Sequence, residues 1–248
     1  MTGSPAVEIA VQDVAGVRIA LAEGADHVEL CSALGVGGLT PSPGIVERAV
    51  QVARQAGRDD FVHVLVRPRG GGFVYSADEI DVMLADVRLL RDLGVGGVVV
   101  GALDDRSHVD LVTTSALVDA AGDLHVTYHR AIDVAVDAAD AIAALAEIGV
   151  RRILTSGASR RAIEGVDTLR EFVRRADGRI EIMAGGGVSA EQLPALAESG
   201  VDAVHLSARG TATGFPSGPG GGHPEYDVTD VALVRAATAA RRAIADAP

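Results

Sequence analysis

The segment HVLVRPRGG, residues 63–71, carries two arginines directly after a short hydrophobic stretch. Its alternating valines predict a buried strand whose other face presents His63, Arg67 and Arg69. A guanidinium group is well suited to binding a carboxylate or a phosphate. We therefore predict that Arg67 and Arg69 bind an anionic small molecule.

Acidic and basic side chains follow the same alternation on other predicted strands. Glu8, Glu29, His129 and His205 all fall on the strand face that is predicted to point inward. Two titratable groups of opposite type in one enclosed pocket are what general acid–base catalysis requires. We predict His129 as the general acid or base, Glu29 or Glu8 as its partner, and Arg67 as a clamp on the substrate.

Hydroxyl-rich and glycine-rich turns follow three further predicted strands. The residues concerned are Thr155, Ser156 and Gly157, then Gly185, Gly186 and Gly187, and finally Ser207. Backbone N–H groups in such turns can approach an anion closely. The pattern predicts a phosphate-binding loop, although a glycine run after a strand is also typical of a plain tight turn.

The charged residues also have a purely structural interpretation. Glu8 and Glu29 would then form buried ion pairs with Arg67 and Arg69, and His205 would be a core histidine. Their convergence at the predicted carboxyl ends of the strands favours a functional pocket, because burying so many ionisable groups costs desolvation energy.

Four segments share one pattern, in which the last turn of an amphipathic helix is followed by a glycine and a short strand. They span residues 19–33, 89–103, 144–158 and 195–208, and a second set of strands lies at 7–11, 61–67, 125–131 and 180–186. Strands and helices thus alternate along the chain. This predicts one α/β domain, residues 1–248, folded as a single (β/α)8 TIM barrel ahead of an open doubly wound sheet. The strands are expected to start near residues 6, 27, 61, 96, 125, 151, 180 and 203.

The segment 210–227, GTATGFPSGPGGGHPEYD, contains too many glycines and prolines for a helix or a central strand. We predict a Gly/Pro-rich loop without regular structure, disordered in preference to a lid over the barrel mouth. A final helix is expected over residues 229–245.

Composition narrows the classes of partner. The 248 residues include 34 acidic and 22 basic side chains, for a net charge of −12, and lysine is absent. This acidic balance argues against nucleic acid and anionic membrane as partners and favours a small anionic molecule at a local basic site. Without lysine, Schiff-base chemistry is excluded, so lyase or isomerase type acid–base chemistry is the enzyme class that remains.

Three features predict a cytoplasmic protein. The N-terminal segment lacks the basic and apolar regions of a signal peptide, and the longest uncharged apolar run, residues 94–103, is too short to span a bilayer. A single cysteine, Cys31, excludes an internal disulfide, which is typical of a reducing compartment.

Seven motifs occur in order along the chain: VELCSA, GGLTPS, VRPRGG with YSADE, VTYHRAID, ILTSG, IMAGGGV and HLSA. Together they resemble the copper homeostasis protein CutC family over most of the chain. The resemblance implies a cytoplasmic TIM barrel, a homodimer or higher homo-oligomer, and a role in copper homeostasis with copper binding. It implies a process and assigns no reaction.

The resemblance implies Cys31 as a copper ligand. One thiol does not make a tight site by itself, so His129 or His205 would have to complete it as a second metal ligand. Copper(I) prefers thiolate and thioether ligands, yet Ala10, Val11 and Val74 stand where relatives often carry further cysteines. We therefore expect Cys31 to bind copper weakly. The alternative hypothesis, a non-catalytic copper(I) carrier that acts through Cys31, stays open beside the enzyme hypothesis.

Overall fold

The computed structural model describes residues 4–214, 218 and 224–246, and eight parallel strands in it close into one barrel. The strands are β1 (Ala6–Val11), β2 (His27–Leu30), β3 (Val62–Leu65), β4 (Gly97–Val100), β5 (His125–Tyr128), β6 (Arg152–Thr155), β7 (Glu181–Gly185) and β8 (Ala203–Leu206). Because β1 pairs with β8 as well as with β2, the barrel sheet has no free edge. The barrel prediction is confirmed, and each strand starts within one residue of its predicted position.

A helix follows each strand and packs on the outside of the barrel. The helices are α1 (Val14–Glu23), α2 (Pro43–Gln55), α3 (Ala77–Leu93), α4 (Leu111–Ala121), α5 (Ala138–Glu147), α6 (Val166–Ala176), α7 (Leu193–Ala197) and α8 (Val231–Ala245). The last helix begins later than predicted because the Asp230 carboxylate caps it, accepting from the Ala232 N–H at 2.7 Å. Within the described ranges, none of the helices is both long and apolar enough to cross a membrane.

The prediction that residues 210–227 lack regular structure is wrong at both ends of the segment. Strand β9 (Arg209–Thr213) pairs antiparallel with β10 (Glu225–Thr229) between β8 and α8. The flanks contain β-branched and aromatic residues that favour strands, whereas the glycines and prolines are concentrated between them. The centre of the predicted loop, residues 215–217 and 219–223, lies outside the described residues.

Strand alternation divides the core into an outer and an inner part. Val62, Val64 and Val66 belong to the large cluster that packs between the barrel and the helices. Inside the barrel, the apolar residues form two separate small clusters. These are Cys31 with Leu65 and Val99, and Leu154 with Met183 and Ala203. Buried polar side chains, among them Glu8 and Glu29, also fill the interior.

Candidate functional site

A cavity of about 220 Å³ lies at the carboxyl ends of the barrel strands. Its wall is formed by Ala10, Glu29, Leu34, Gly37, Leu65, Arg67, Phe73, His129, Arg130, Leu154, Gly186, Gly187, His205 and Ser207. The predicted site residues that the structure brings together here are Glu29, Arg67, His129, Gly186, Gly187, His205 and Ser207. This is the end of a barrel at which enzymes of this fold carry their active sites.

Arg67 is buried in the cavity wall, where backbone carbonyl groups hold its guanidinium. Nη1 donates to the carbonyls of Val36 and Gly38, each at 3.2 Å, and Nη2 donates to that of Gly71 at 2.6 Å. Among the described residues, Nε has no hydrogen-bond partner and no carboxylate forms an ion pair with Arg67. A buried cation without a counter-ion makes the cavity favourable for an anion.

Two neighbours shape the position of Arg67. Gly37 has a φ of +91°, and a Cβ at this position would lie 2.9 Å from Nη1, so only glycine fits beside the guanidinium. The Phe73 ring lies under the guanidinium, 5.0 Å from Cζ, and 4.9 Å from the His129 ring. Phe73 was not a predicted site residue, although an aromatic residue two positions after the RPRGG motif was an available signal.

The structure places Arg69 outside the cavity, which corrects the prediction of a pair of anion-binding arginines. Its Nε lies 2.5 Å from Glu79 Oε1 in the first turn of α3, and it donates to the Val74 carbonyl at 2.8 Å. Because β3 ends at Leu65, strand alternation no longer sets the direction of a side chain four residues later. Arg69 instead stabilises the connection between β3 and α3.

His129 is buried at the end of β5 and is held in one tautomer. Its Nδ1 accepts a hydrogen bond from the Ala131 N–H at 3.2 Å, so a neutral ring carries its proton on Nε2. Burial, together with the Arg67 cation, lowers the pKa of His129 to about 3. A neutral ring of this kind offers Nε2–H as a hydrogen-bond donor at neutral pH.

Glu29 and His205 are neighbouring titratable side chains in the cavity wall. His205 Nε2 lies 3.9 Å from Glu29 Oε2, and His205 Nδ1 lies 2.7 Å from Glu8 Oε1. Burial raises the pKa of Glu29 to about 7, against the charge of His205, which lowers it. Burial alone would lower the pKa of His205, but the hydrogen bond to Glu8 and the two carboxylate charges raise it. The predicted partner base Glu29 thus has His205 as its neighbour.

Glu8 does not line the cavity. It contacts the Nδ1 atom of His205, which is the ring nitrogen not directed towards Glu29. Glu8 Oε2 lies 3.7 Å from both His27 Nδ1 and Arg152 Nη1. Burial would raise the pKa of Glu8, but His205, His27 and Arg152 outweigh it and lower the pKa. Glu8 therefore stays ionised and fixes the orientation of His205. Arg152 was not predicted, although the alternation used for the other strands would have placed it inside the barrel.

The turn after β6, predicted to bind phosphate, holds the carboxylate of Asp133 instead. Thr155 Oγ1 donates to Asp133 Oδ1 at 2.5 Å, and the N–H groups of Ser156 and Ala158 donate to the same atom at 3.0 and 3.3 Å. Gly157 donates to Thr155 Oγ1 at 2.9 Å. Thr155, Ser156 and Gly157 are not part of the cavity wall. Asp133 accepts from Thr155 and Ser156, and the Thr155 hydroxyl accepts from Gly157.

The turn after β7 does face the cavity. The N–H groups of Gly186 and Gly187 donate to no acceptor in the described part of the chain. Gly185 lies deeper, against Leu154 and His205, and is not part of the cavity wall. The Arg130 side chain lies beside Gly186, because a Cβ added to Gly186 would be only 3.2 Å from the Cζ of Arg130.

Asp133 also fixes Arg130. Arg130 Nε donates to Asp133 Oδ2 at 2.8 Å and Nη2 donates to Ser156 Oγ at 3.1 Å, which leaves Nη1 without an acceptor among the described residues. The N–H donors of Gly186 and Gly187 and the Nη1 donor of Arg130, which have no acceptor among the described residues, share the cavity wall with Ser207. Arg130 was not a predicted ligand-binding residue, although it lies in the VTYHRAID motif.

A family model described as the CutC family matches residues 6–210 of the chain, which is most of the barrel. The chain belongs to the CutC family. A CutC family protein of Xanthomonas campestris is 44% identical over 240 residues, covering 92% of this chain and 95% of the relative. A CutC family protein of Glaesserella parasuis is 40% identical over 205 residues, with 82% of each chain covered. The resemblance seen in the motifs is confirmed.

Solved structures agree with this assignment. The CutC crystal structure from Streptococcus agalactiae, a protein named for a role in copper homeostasis, is 33% identical with a TM-score of 0.75, covering 82% of this chain and 98% of that one. Thiamine phosphate pyrophosphorylase from Pyrococcus furiosus superposes with a TM-score of 0.59 at 16% identity, covering 98% of both chains. At that identity, the second likeness shows the barrel fold alone.

The environment of Cys31 does not fit a copper ligand. Cys31 is fully buried in the small cluster with Leu65 and Val99, and Met183 belongs to the other interior cluster. Burial, with the Glu29 charge, raises the pKa of the thiol, which disfavours the thiolate that binds metals. Throughout residues 4–214, 218 and 224–246, no group of three His, Cys, Asp or Glu side chains is arranged to hold a metal ion.

Proposed function

We propose that the barrel mouth binds a small anionic molecule, phosphorylated or carboxylated, and carries out acid–base chemistry on it as a lyase or an isomerase. The observation that carries this proposal is the composition of the cavity wall. It combines Arg67, a buried cation with no carboxylate partner in the described part of the chain, with a titratable pair, Glu29 and His205. A cavity needed only for stability would gain more from apolar side chains, because buried charges cost desolvation energy.

The acid–base part of the proposal rests on how the pair is supported. A group that exchanges protons with a substrate works best when its pKa lies near the working pH, and burial brings Glu29 to about 7. Glu8 orients His205 through the 2.7 Å contact at Nδ1, which leaves Nε2 directed towards Glu29. Glu29 is therefore the proton acceptor or donor, and the charge of His205 lowers the pKa of Glu29.

Copper homeostasis remains the proposed cellular process, on the strength of the name of the Streptococcus agalactiae relative. The copper carrier alternative would need Cys31 to be accessible as a thiolate, whereas the thiol is buried among apolar side chains. A cytoplasmic location is proposed on the basis of the single cysteine. Because the Cys31 thiol is buried, the enzyme hypothesis is better supported than the copper carrier hypothesis.

Binding of 2-phosphoglycolate, a small probe with one carboxylate and one phosphate, tests the proposal by calorimetry at pH 7. Substitution Arg67→Met keeps the side-chain length and removes the charge. A charge-assisted hydrogen bond contributes about 1.5–3 kcal/mol, so we expect the substitution to weaken binding by at least about tenfold. Equal affinity of the two proteins, or no measurable binding to either, would overturn the proposal.

The control for this experiment is Arg88→Met on the exposed face of α3. It removes one positive charge from the molecule at a distance from the cavity and should leave the affinity unchanged. Arg67→Met also leaves the carbonyls of Val36, Gly38 and Gly71 without their donor. We expect a loss of about 1–3 kcal/mol of stability, so unfolding of the variant is measured under the assay conditions.

A further inference from the structure

We propose that the cavity enolises a small phosphorylated hydroxy-aldehyde or hydroxy-ketone, with Glu29 as the base at carbon and His129 as the neutral donor to the carbonyl oxygen. This inference rests on the proposed anion-binding function and names its substrate class and reaction. It follows from three neighbouring groups of atoms in the cavity wall: one donor set for a carbonyl oxygen, one carboxyl group, and one donor set for a phosphate.

The carbonyl-oxygen donors are His129 and Arg67. His129 Nε2 carries the ring proton, since Nδ1 accepts from the Ala131 N–H, and this donor has no acceptor among the described residues. Arg67 Nε is likewise buried without a partner. A neutral imidazole beside a cation stabilises negative charge that develops on a carbonyl oxygen. The lowered pKa of His129 keeps the ring in this neutral form at neutral pH.

The carboxyl group is Glu29, which shares the cavity wall with those donors. No arginine is among its ion-pair partners in the described part of the chain, where its nearest charged neighbour is His205 Nε2 at 3.9 Å. A carboxylate free of a strong ion pair keeps the basicity that removing a proton from carbon demands. Glu8, fixed behind His205, prevents the imidazole from turning away.

The phosphate donors are the turn after β7 and Arg130. The N–H groups of Gly186 and Gly187 have no acceptor in the described residues, and Arg130 is held beside them by Asp133. Ser207 completes this corner of the wall. Backbone N–H groups in a glycine turn, with one arginine, are a recurring way of binding a phosphoryl group at this end of a barrel.

The size of the cavity limits the substrate. The cavity of about 220 Å³ has room for a ligand of a few carbon atoms with one phosphate. Drug-sized ligands need cavities of roughly 300–1,000 Å³. Leu34, Leu65, Phe73 and Leu154 supply the apolar part of the wall, which is suited to a short carbon chain.

The proposed step balances without a co-reactant. The Glu29 carboxylate takes a proton from the carbon next to the carbonyl group, and the C–H electron pair becomes the C=C bond of an enediol. The carbonyl π pair moves to oxygen, where the N–H groups of His129 and Arg67 stabilise it. A proton moves from the hydroxyl oxygen to the former carbonyl oxygen. Return of the carbon-bound proton from Glu29 to the neighbouring carbon, where the C=C pair forms the new C–H bond, then gives the isomer with its new carbonyl group.

Exchange of carbon-bound hydrogen with D₂O, followed by NMR, tests this step directly. The probes are glycolaldehyde phosphate, dihydroxyacetone phosphate and erythrose 4-phosphate, with unphosphorylated dihydroxyacetone as the reference. We expect at least one phosphorylated probe to exchange the hydrogen next to its carbonyl group faster than without protein. The unphosphorylated reference should exchange at least about tenfold more slowly, because the contacts at Gly186, Gly187 and Arg130 are lost.

Variants assign the exchange to the named residues. Glu29→Gln should slow it by about 100-fold or more, and His129→Leu by about 100-fold, because these are the usual contributions of a general base and of one oxyanion donor. Glu47→Gln, on the exposed face of α2, is the matched carboxyl control and should exchange like the unmodified protein. Purifying all variants in the same way controls for a contaminating isomerase.

The outcomes separate this inference from the proposed function. Binding of 2-phosphoglycolate without exchange of any phosphorylated probe would overturn the enolisation step and leave the anion site standing. Exchange that survives Glu29→Gln would show that another group is the base. Absence of 2-phosphoglycolate binding would overturn the proposed function and this inference together.

Discussion

Glu29 is a carboxyl group whose pKa burial raises from the ordinary 4.5 to about 7. The folded protein therefore binds this proton more tightly than the unfolded chain does. Between pH 4.5 and pH 7, Glu29 is ionised in the unfolded chain but still protonated in the folded protein. The free energy of unfolding therefore falls as the pH rises through this range. A pKa difference of this size corresponds to about 3 kcal/mol.

Substitution Glu29→Gln removes this titration and should change the pH dependence of stability. We expect the free energy of unfolding of the variant, relative to the unmodified protein, to increase by up to about 3 kcal/mol between pH 5 and pH 8. Urea denaturation at several pH values measures it. Glu47→Gln should show no such trend, and a parallel pH dependence of Glu29→Gln and the unmodified protein would contradict a raised pKa.

Cys31 illustrates how burial limits a metal ligand. Its thiol lies 3.7 Å from the Val11 carbonyl and packs against Leu65 and Val99. We predict that the reduced protein loses copper(I) to a competing chelator and that Cys31→Ser changes this little. A tight one-to-one copper complex that disappears in Cys31→Ser would instead establish the carrier hypothesis.

At the scale of elements, the Asp133 carboxylate joins the turn after β5 to the turn after β6. It accepts hydrogen bonds from Thr155 and Ser156 in the turn after β6 and from Arg130 in the cavity wall. Asp133→Ala leaves buried donors unpaired, for which a loss of at least about 1–3 kcal/mol is expected. Urea denaturation measures the loss.

The matched control is Asp105→Ala, at an exposed position in the connection between β4 and α4. A surface substitution of this kind changes stability by about 0.5 kcal/mol at most. Since Asp133 also holds Arg130 beside Gly186, Asp133→Ala should weaken 2-phosphoglycolate binding as well. Unchanged stability and unchanged binding would show that the two turns keep their positions without the carboxylate.

At the scale of the whole molecule, we propose a homodimer or a higher homo-oligomer. Val112, in the first turn of α4, is 84% exposed, and Val134 and Val136, between β5 and α5, are 60% and 69% exposed. A hydrogen bond from the Val136 N–H to the Ser107 carbonyl joins the segment before α5 to the segment before α4. Neighbouring exposed apolar side chains of this kind are typical of an interaction surface.

Light scattering should give a mass of at least twice the 25.3 kDa of the chain. Val136→Asp should shift the mass towards a single chain, since it places a charge in the apolar surface. Val82→Asp, at an exposed valine of α3, is the control and should leave the mass unchanged. A mass of one chain for the unmodified protein would contradict the proposal.

The barrel was predictable because its signals are local. Each joint between a helix and the following strand carries a glycine and a change of hydrophobic period, and these depend on neighbouring residues only. Alternation along strands also predicted that Glu29, Arg67 and His205 face the interior, since successive side chains on a strand point to opposite sides. The sequence by itself thus determined the fold, the end of the barrel that carries the cavity, and much of its wall.

The tertiary structure alone decided which polar groups pair with each other. Arg69 binds Glu79, and Asp133 occupies the turn formed by Thr155 and Ser156, although both sets of donors looked equally suited to an external anion. A hydrogen bond requires two atoms within about 3 Å, and the loops that bring them together are far apart in the sequence. Pairing, and with it the number of donors left for a ligand, therefore depends on the closed barrel.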